Sequence, residues 1–112
     1  MNETPISNAL TLTAAFQVLY LADVRHRLTV KMVHIANTDA ADRTVQLCYV
    51  PAAPATAVQG NAALWNYTIP ANDFIEFGEG QMILGGGSIQ ALASLAAVVN
   101  VHLSGIEELV TT

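Results

Sequence analysis

The chain has 112 residues, the size of one domain, and a formal net charge of −5. Apolar residues make up 53% and charged residues 12%, against about 45–50% and about 25% in ordinary globular domains. That balance excludes a phosphate-binding surface of the usual kind, which is built from Lys and Arg, and an anionic-membrane binder. It also leaves a small domain with few charges to cover it, so part of its apolar surface is expected to lie against other subunits.

The N-terminal residues Met1–Ser7 are polar and lack a basic segment followed by an apolar run, so no secretory leader is expected. No apolar stretch is long enough to span a bilayer. Alternation then marks strands in order. Residues 9–14 place Leu10 and Leu12 on one face and Thr11 and Thr13 on the other. Residues 17–21 are apolar on both faces. Residues 27–36 put Leu28, Val30 and Met32 on one face; the other begins with Thr29 and Lys31 and continues with Val33 and Ile35, as in a strand that starts exposed and ends covered.

Residues 37–42, rich in Asn and Asp, read as a turn. Residues 44–50 alternate again, and the two runs read as a hairpin. Residues 51–62 form the longest irregular stretch, opened by Pro51 and Pro54, which cannot sit inside a ladder. Strands follow at 64–70, 74–77, 81–84, 88–94 and 98–104, with Gly85-Gly86-Gly87 as a hairpin reversal. Residues 91–99 carry helix formers at helical spacing, but their strand-like flanks favour two strands and a tight bend. The expected fold is all-β: a single antiparallel β-sandwich or jelly roll of eight to nine short strands. It spans residues 8–105 between an N-terminal arm (1–7) and a C-terminal tail (106–112).

Chemistry-bearing residues are sparse. His26, His34 and His102 are far apart in sequence, although His34 and His102 can meet across neighbouring strands; with one cysteine, Cys48, no zinc spacing arises. Asn37, Asp39 and Asp42 lack a calcium-loop pattern and read as a capped turn. Asp73, Glu76 and Glu79 read as solvated turn acids rather than an acid–base pair. Gly85–Gly87 is not followed by the Lys-Ser/Thr of a phosphate loop. The serines sit in no nucleophile motif. Cys48 reads as a small buried hydrophobe. No cofactor or metal is expected, and no enzyme activity. Trp65 and Tyr67, two apart, are expected to share a sheet face, where they either fill the core or, if that face is exposed, anchor a partner or stack a sugar.

A series of short pieces is more specific in its order than in any one member. These are His34-Ile35-Ala36-Asn37-Thr38-Asp39, Val45-Gln46-Leu47-Cys48-Tyr49-Val50, Thr68-Ile69-Pro70-Ala71-Asn72-Asp73, Met82-Ile83-Leu84-Gly85-Gly86-Gly87-Ser88-Ile89-Gln90-Ala91 and Val99-Asn100-Val101-His102-Leu103-Ser104-Gly105-Ile106-Glu107. In this order they resemble small β-sandwich virion proteins of tailed bacteriophages, over residues 10–107. Gly87-Ser88 stands where a commoner form of the hairpin has Gly-Asp.

The resemblance implies a capsid decoration (cement) subunit that binds and stabilises the shell as a homo-oligomer, a trimer at local three-fold positions. The implied partner is the major capsid protein or another virion subunit, with no nucleic acid and no membrane, and the implied location is the virion after synthesis in a host cytoplasm. Alternatives are a tail, neck or fibre-attachment component and, from a different class, a carbohydrate-binding module. The expected partner contacts are Pro5, Ile6, Trp65, Tyr67, Ile106, Leu109 and Val110.

Overall fold

The computed structural model describes residues 3–52, 55–78 and 80–109. Nine strands form two antiparallel sheets. Sheet A has the order β1 (Glu3–Thr11), β9 (Val99–Leu109), β3 (His26–Asn37), β6 (Phe74–Phe77), with β7 (Met82–Ile83) pairing further along β3. Sheet B has the order β2 (Gln17–Leu21), β8 (Ser88–Ala93), β4 (Arg43–Val50), β5 (Ala62–Ile69). Successive strands change sheet at every connection except β4–β5 and β6–β7. That is the double Greek key of a jelly roll, with its eighth position shared between β6 and β7.

Two hairpins expected from sequence are therefore corners. β3 and β4 lie in different sheets, as do β7 and β8 on either side of Gly85–Gly87. The glycine turn is closed by Gly87 N–H donating to Leu84 O at 2.9 Å, and Gly86 has φ 85°. Residues 94–98 form a bend rather than a helix, held by Ser94 N–H to Thr44 O (2.9 Å) and Ala97 N–H to Leu12 O (3.1 Å).

The core lies between the sheets. Leu28, Val33, Ile35, Val101 and Leu103 of sheet A face Val45, Leu47, Ile89 and Ala91 of sheet B. β3 does not run from exposed to covered as its sequence suggests. A register shift between Val30 and Met32 lets the strand change faces at Lys31, so that Leu28 and Val30, then Val33 and Ile35, all point inward while Met32 turns out. Gly105 faces this bulge as the partner of Val30; a Cβ there would run into the Thr29 carbonyl and Leu28.

β1 begins earlier than the alternation of Leu10 and Leu12 indicates. The expected arm and tail meet here: of their described residues, 3–7 lie in β1 and 106–109 in β9, paired from Glu3↔Glu108 to Ser7↔Ser104. Pro5 and Asn8 mask the strand in the sequence. Asn8 nonetheless faces the sandwich, and its Nδ2 donates to Leu19 O of β2 at 3.0 Å, fastening one sheet edge to the other.

A second link between the sheets is the Tyr20 hydroxyl donating to Glu107 Oε2 at 2.5 Å. Burial, followed by the Glu107 carboxylate, pushes the Tyr20 phenol well above its ordinary value of 10.0. The folded state therefore keeps this proton where the unfolded chain releases it. The contribution is fully present below about pH 10 and is lost as pH rises beyond that, towards the folded pKa. Stability measured by chemical denaturation is expected to fall above pH 10, and Tyr20→Phe should flatten that fall while costing about 1–2 kcal/mol at pH 7. An alkaline slope identical in the two proteins would show that Tyr20 does not carry it.

Candidate interaction surface

At one end of the sandwich the turn 22–25, the glycine corner and the start of the β4–β5 loop come together. Ala22 N–H donates to Gly87 O, and Gly86 N–H donates to Ala22 O, both at 2.8 Å. The approach is so close that a Cβ on Gly85 would collide with the Val24 carbonyl, and one on Gly86 would press on Ala52. This packing leaves apolar side chains outside. Val24 is 80% exposed, Leu21 66% and Leu84 64%, with Met82 also exposed.

Beside them runs a groove of about 410 Å³, lined by Tyr49, Val50, Pro51, Ala52, Met82 and Leu84 among others. Among the described residues, charge stands beside Val24 in the same turn, where Asp23 Oδ1 accepts from the Arg25 N–H at 3.1 Å. Exposed apolar side chains gathered at one end with a polar margin are the signature of a contact surface. What the described side chains of this end offer a partner is apolar area to bury.

None of these side chains was among the expected contacts. The available signal was an apolar residue inside a turn: Val24 next to Asp23 and Arg25, and Leu84 directly before three glycines. The expected contacts fall elsewhere. Pro5 is exposed on β1 and sits opposite Ile106, while Ile6 is half-buried against the core. Leu109 is half-buried opposite His26. Val110 lies outside the described residues.

Trp65 and Tyr67 do not share a face. The β4–β5 ladder shifts between Val45↔Tyr67 and Leu47↔Leu64, and Asn66 takes a left-handed φ of 52°. Tyr67 thus lies opposite buried Val45 and lines a depression between β5 and β6 with Leu64, Ile75 and Phe77. Trp65 turns the other way and stacks on Phe16, with ring centroids 6.5 Å apart. The aromatic pair that would cradle a sugar is not assembled.

Several of the polar residues singled out by sequence are bonded within the chain, and Glu79 lies outside the described residues. His34 and His102 are direct partners across β3 and β9. Their outward contacts differ: His34 Nδ1 is 3.0 Å from Glu76 Oε2, and His102 Nε2 is 2.6 Å from Ser7 Oγ. Among the described residues no three His, Cys, Asp or Glu groups converge as a metal site. Asn37, Asp39 and Asp42 bond the chain itself, Asp42 Oδ1 accepting from Ala71 N–H at 3.1 Å and Asp39 Oδ2 from Arg43 Nε at 2.7 Å. The Arg43 guanidinium, with the Ala40 N–H, holds the Asp39 carboxyl below its ordinary value.

Asp73 Oδ1 accepts from the Phe74 N–H. Arg27 pairs with Glu108 at 3.2 Å. Cys48 is buried outside the core, on the sheet B face covered by the β4–β5 loop, with Sγ 3.5 Å from Val58 O. Burial pushes its thiol up, which leaves it a poor nucleophile.

No family model matches the chain, and no curated protein matches it. Solved structures share the fold. One belongs to Bacillus endospore appendages, described as a family of disulfide-linked pili: TM-score 0.56 and 12% identity, covering 97% of this chain and 88% of that one. Another is from the T13 particle of the icosahedral virus IBDV: TM-score 0.52 and 9% identity, covering 96% of this chain but 31% of that one, so the present chain spans about a third of the viral protein. At these identities the likeness is one of fold.

Proposed function

We propose that this chain is a structural subunit of a virus particle, a decoration or cement subunit that seats on a phage shell as a homo-oligomer and resists separation of the shell subunits. The observation that carries the reading is the apolar end built by Leu21, Val24, Met82 and Leu84 around the groove at Pro51 and Ala52. Burying such a surface across a boundary between shell subunits makes their separation costlier, at roughly 25 cal/mol for each Å² of apolar area removed from water. Repetition over a shell multiplies even a small net gain per site.

The jelly-roll topology suits the role, since two sheets packed face to face make a rigid body and leave the corner turns free for contact. The ordered sequence resemblance to phage virion proteins points the same way. So does the fold shared with an icosahedral virus particle.

The test is composition. Particles purified on a density gradient from a culture carrying this reading frame should contain the chain at hundreds of copies, measured by mass ratio to the major shell protein. Six to twelve copies would instead assign it to the neck, tail or fibre attachment, and its absence from the particles would overturn the virion reading.

A further inference from the structure

The two sheets present edges that are unlike one another. β2 is short and shifts register between Val18 and Tyr20; β5 shifts twice and bends at Asn66. The outer position of sheet A is split between β6 and β7. β1 is different: it runs nine residues in unbroken register, from Glu3↔Glu108 to Thr11↔Asn100, and carries no charge from Thr4 onward. A long, straight, uncharged edge is a template for another strand.

The groups on that edge can be assigned. Leu12 N–H donates to Val99 O at 2.8 Å. Bonded and unbonded pairs alternate along an antiparallel ladder. Leu10, Asn8, Ile6 and Thr4 therefore bond β9, while the N–H groups of Ser7, Ala9 and Thr11 and the carbonyls of Pro5, Ser7, Ala9 and Thr11 point away from the sheet. Pro5 falls in the outward set, the place where a missing N–H leaves the ladder intact. Next to this edge β2 presents Val18, 53% exposed, on the strand that Asn8 fastens alongside.

We infer that β1 of one copy pairs antiparallel with β1 of a second copy about a two-fold axis, joining the two A sheets into one. The occupant must offer a strand as straight as β1, and among the described residues the only such edge on this chain is β1 itself. Centred on Ser7, the pairing sets Pro5 opposite Ala9 and Glu3 opposite Thr11, so no like charges meet, and Val18 of each copy lies beside the seam. The unit is a pair, where shell symmetry suggested a trimer, and it stands whether or not a shell is its partner.

The full chain is tested by sedimentation over a concentration series and by amide hydrogen exchange. The expected result is a dimer in which the Ser7, Ala9 and Thr11 amides are protected along with their neighbours. Ala9→Pro removes an outward N–H from each copy and leaves the β9 ladder untouched, so it should raise the dissociation constant about thirtyfold or more with the fold unchanged. Ser7→Lys, which opposes two ammonium groups at the axis, should do the same and serves if Ala9→Pro fails to fold. A monomer at every concentration, or a dimer with those three amides exchanging freely, would overturn the proposal. Protected amides in trimers or open-ended filaments would overturn the two-fold axis.

Discussion

Asn37→Asp is expected to destabilise the fold by about 3–5 kcal/mol at pH 7, roughly a fifth or more of the net stability of an ordinary domain. Asn37 is 1% exposed at the corner where β3 leaves sheet A. Its Nδ2 donates to Ala41 O at 2.9 Å, Ile69 O at 3.0 Å and Pro70 O at 3.2 Å, and its Oδ1 accepts from the Asp39 N–H at 3.0 Å. One side chain thus ties the β3–β4 corner to the end of β5. A carboxylate would aim negative oxygen at three carbonyls from a buried position.

Protonation is the escape, and it sets the size of the effect. Holding an aspartic acid neutral at pH 7 from an ordinary value of about 3.9 costs about 4 kcal/mol. The sign follows, since the substituted acid would have a folded pKa above its unfolded one. The deficit relative to the parent should be smallest below about pH 4, where the protonated acid supplies one donor in place of the amide's two, and grow as pH rises towards 7. Asn37→Ala separates the charge from the lost bonds: it should cost about 1–3 kcal/mol with no added pH dependence. Denaturant unfolding of the three proteins at pH 4 and pH 7 makes the comparison. An Asn37→Asp loss below 1 kcal/mol at both pH values would show that the corner is wetter than its geometry implies.

Strands were legible in the sequence because alternation reports a local period, and β3, β4 and β8 stand close to where it puts them. Sheet membership was not legible. β9 pairs with both β1 and β3, contacts made by residues distant in the chain, and no local period records them. A short polar loop such as 37–42 looks the same whether it closes a hairpin or turns a corner between sheets.

Bulges were partly legible. In β3 the inward set moves from Leu28 and Val30 to Val33 and Ile35, a change of phase that is itself the mark of an inserted residue. In β5 the phase change falls at Asn66, a residue that tolerates left-handed backbone, yet the even spacing of Trp65 and Tyr67 hides it. The apolar end was hidden for a different reason. Composition reports a surplus of apolar residues, but where the surplus surfaces depends on which corner turns meet, and that is set by the two sheets together.

If that end seats on a shell, the paired substitution Val24→Asp with Leu84→Asp should abolish seating while leaving the monomer fold unchanged. Both side chains are mostly in water and neither belongs to the core, so each change should alter stability by no more than about 0.5 kcal/mol. At an interface the same change removes two apolar contacts and buries two carboxylates with no partner. Affinity should fall at least about a hundredfold, roughly 2.7 kcal/mol. Leu95→Asp is the matched control, an exposed leucine in the 94–98 bend at the opposite end of the sandwich; it should seat as the parent does. Rebinding of each purified variant to shells stripped of this chain, read by co-sedimentation, gives the answer. Seating that survives the pair but is lost with Leu95→Asp would move the contact surface to the other end of the molecule, and seating that survives all three would mean that burial at the ends does not hold the subunit in place.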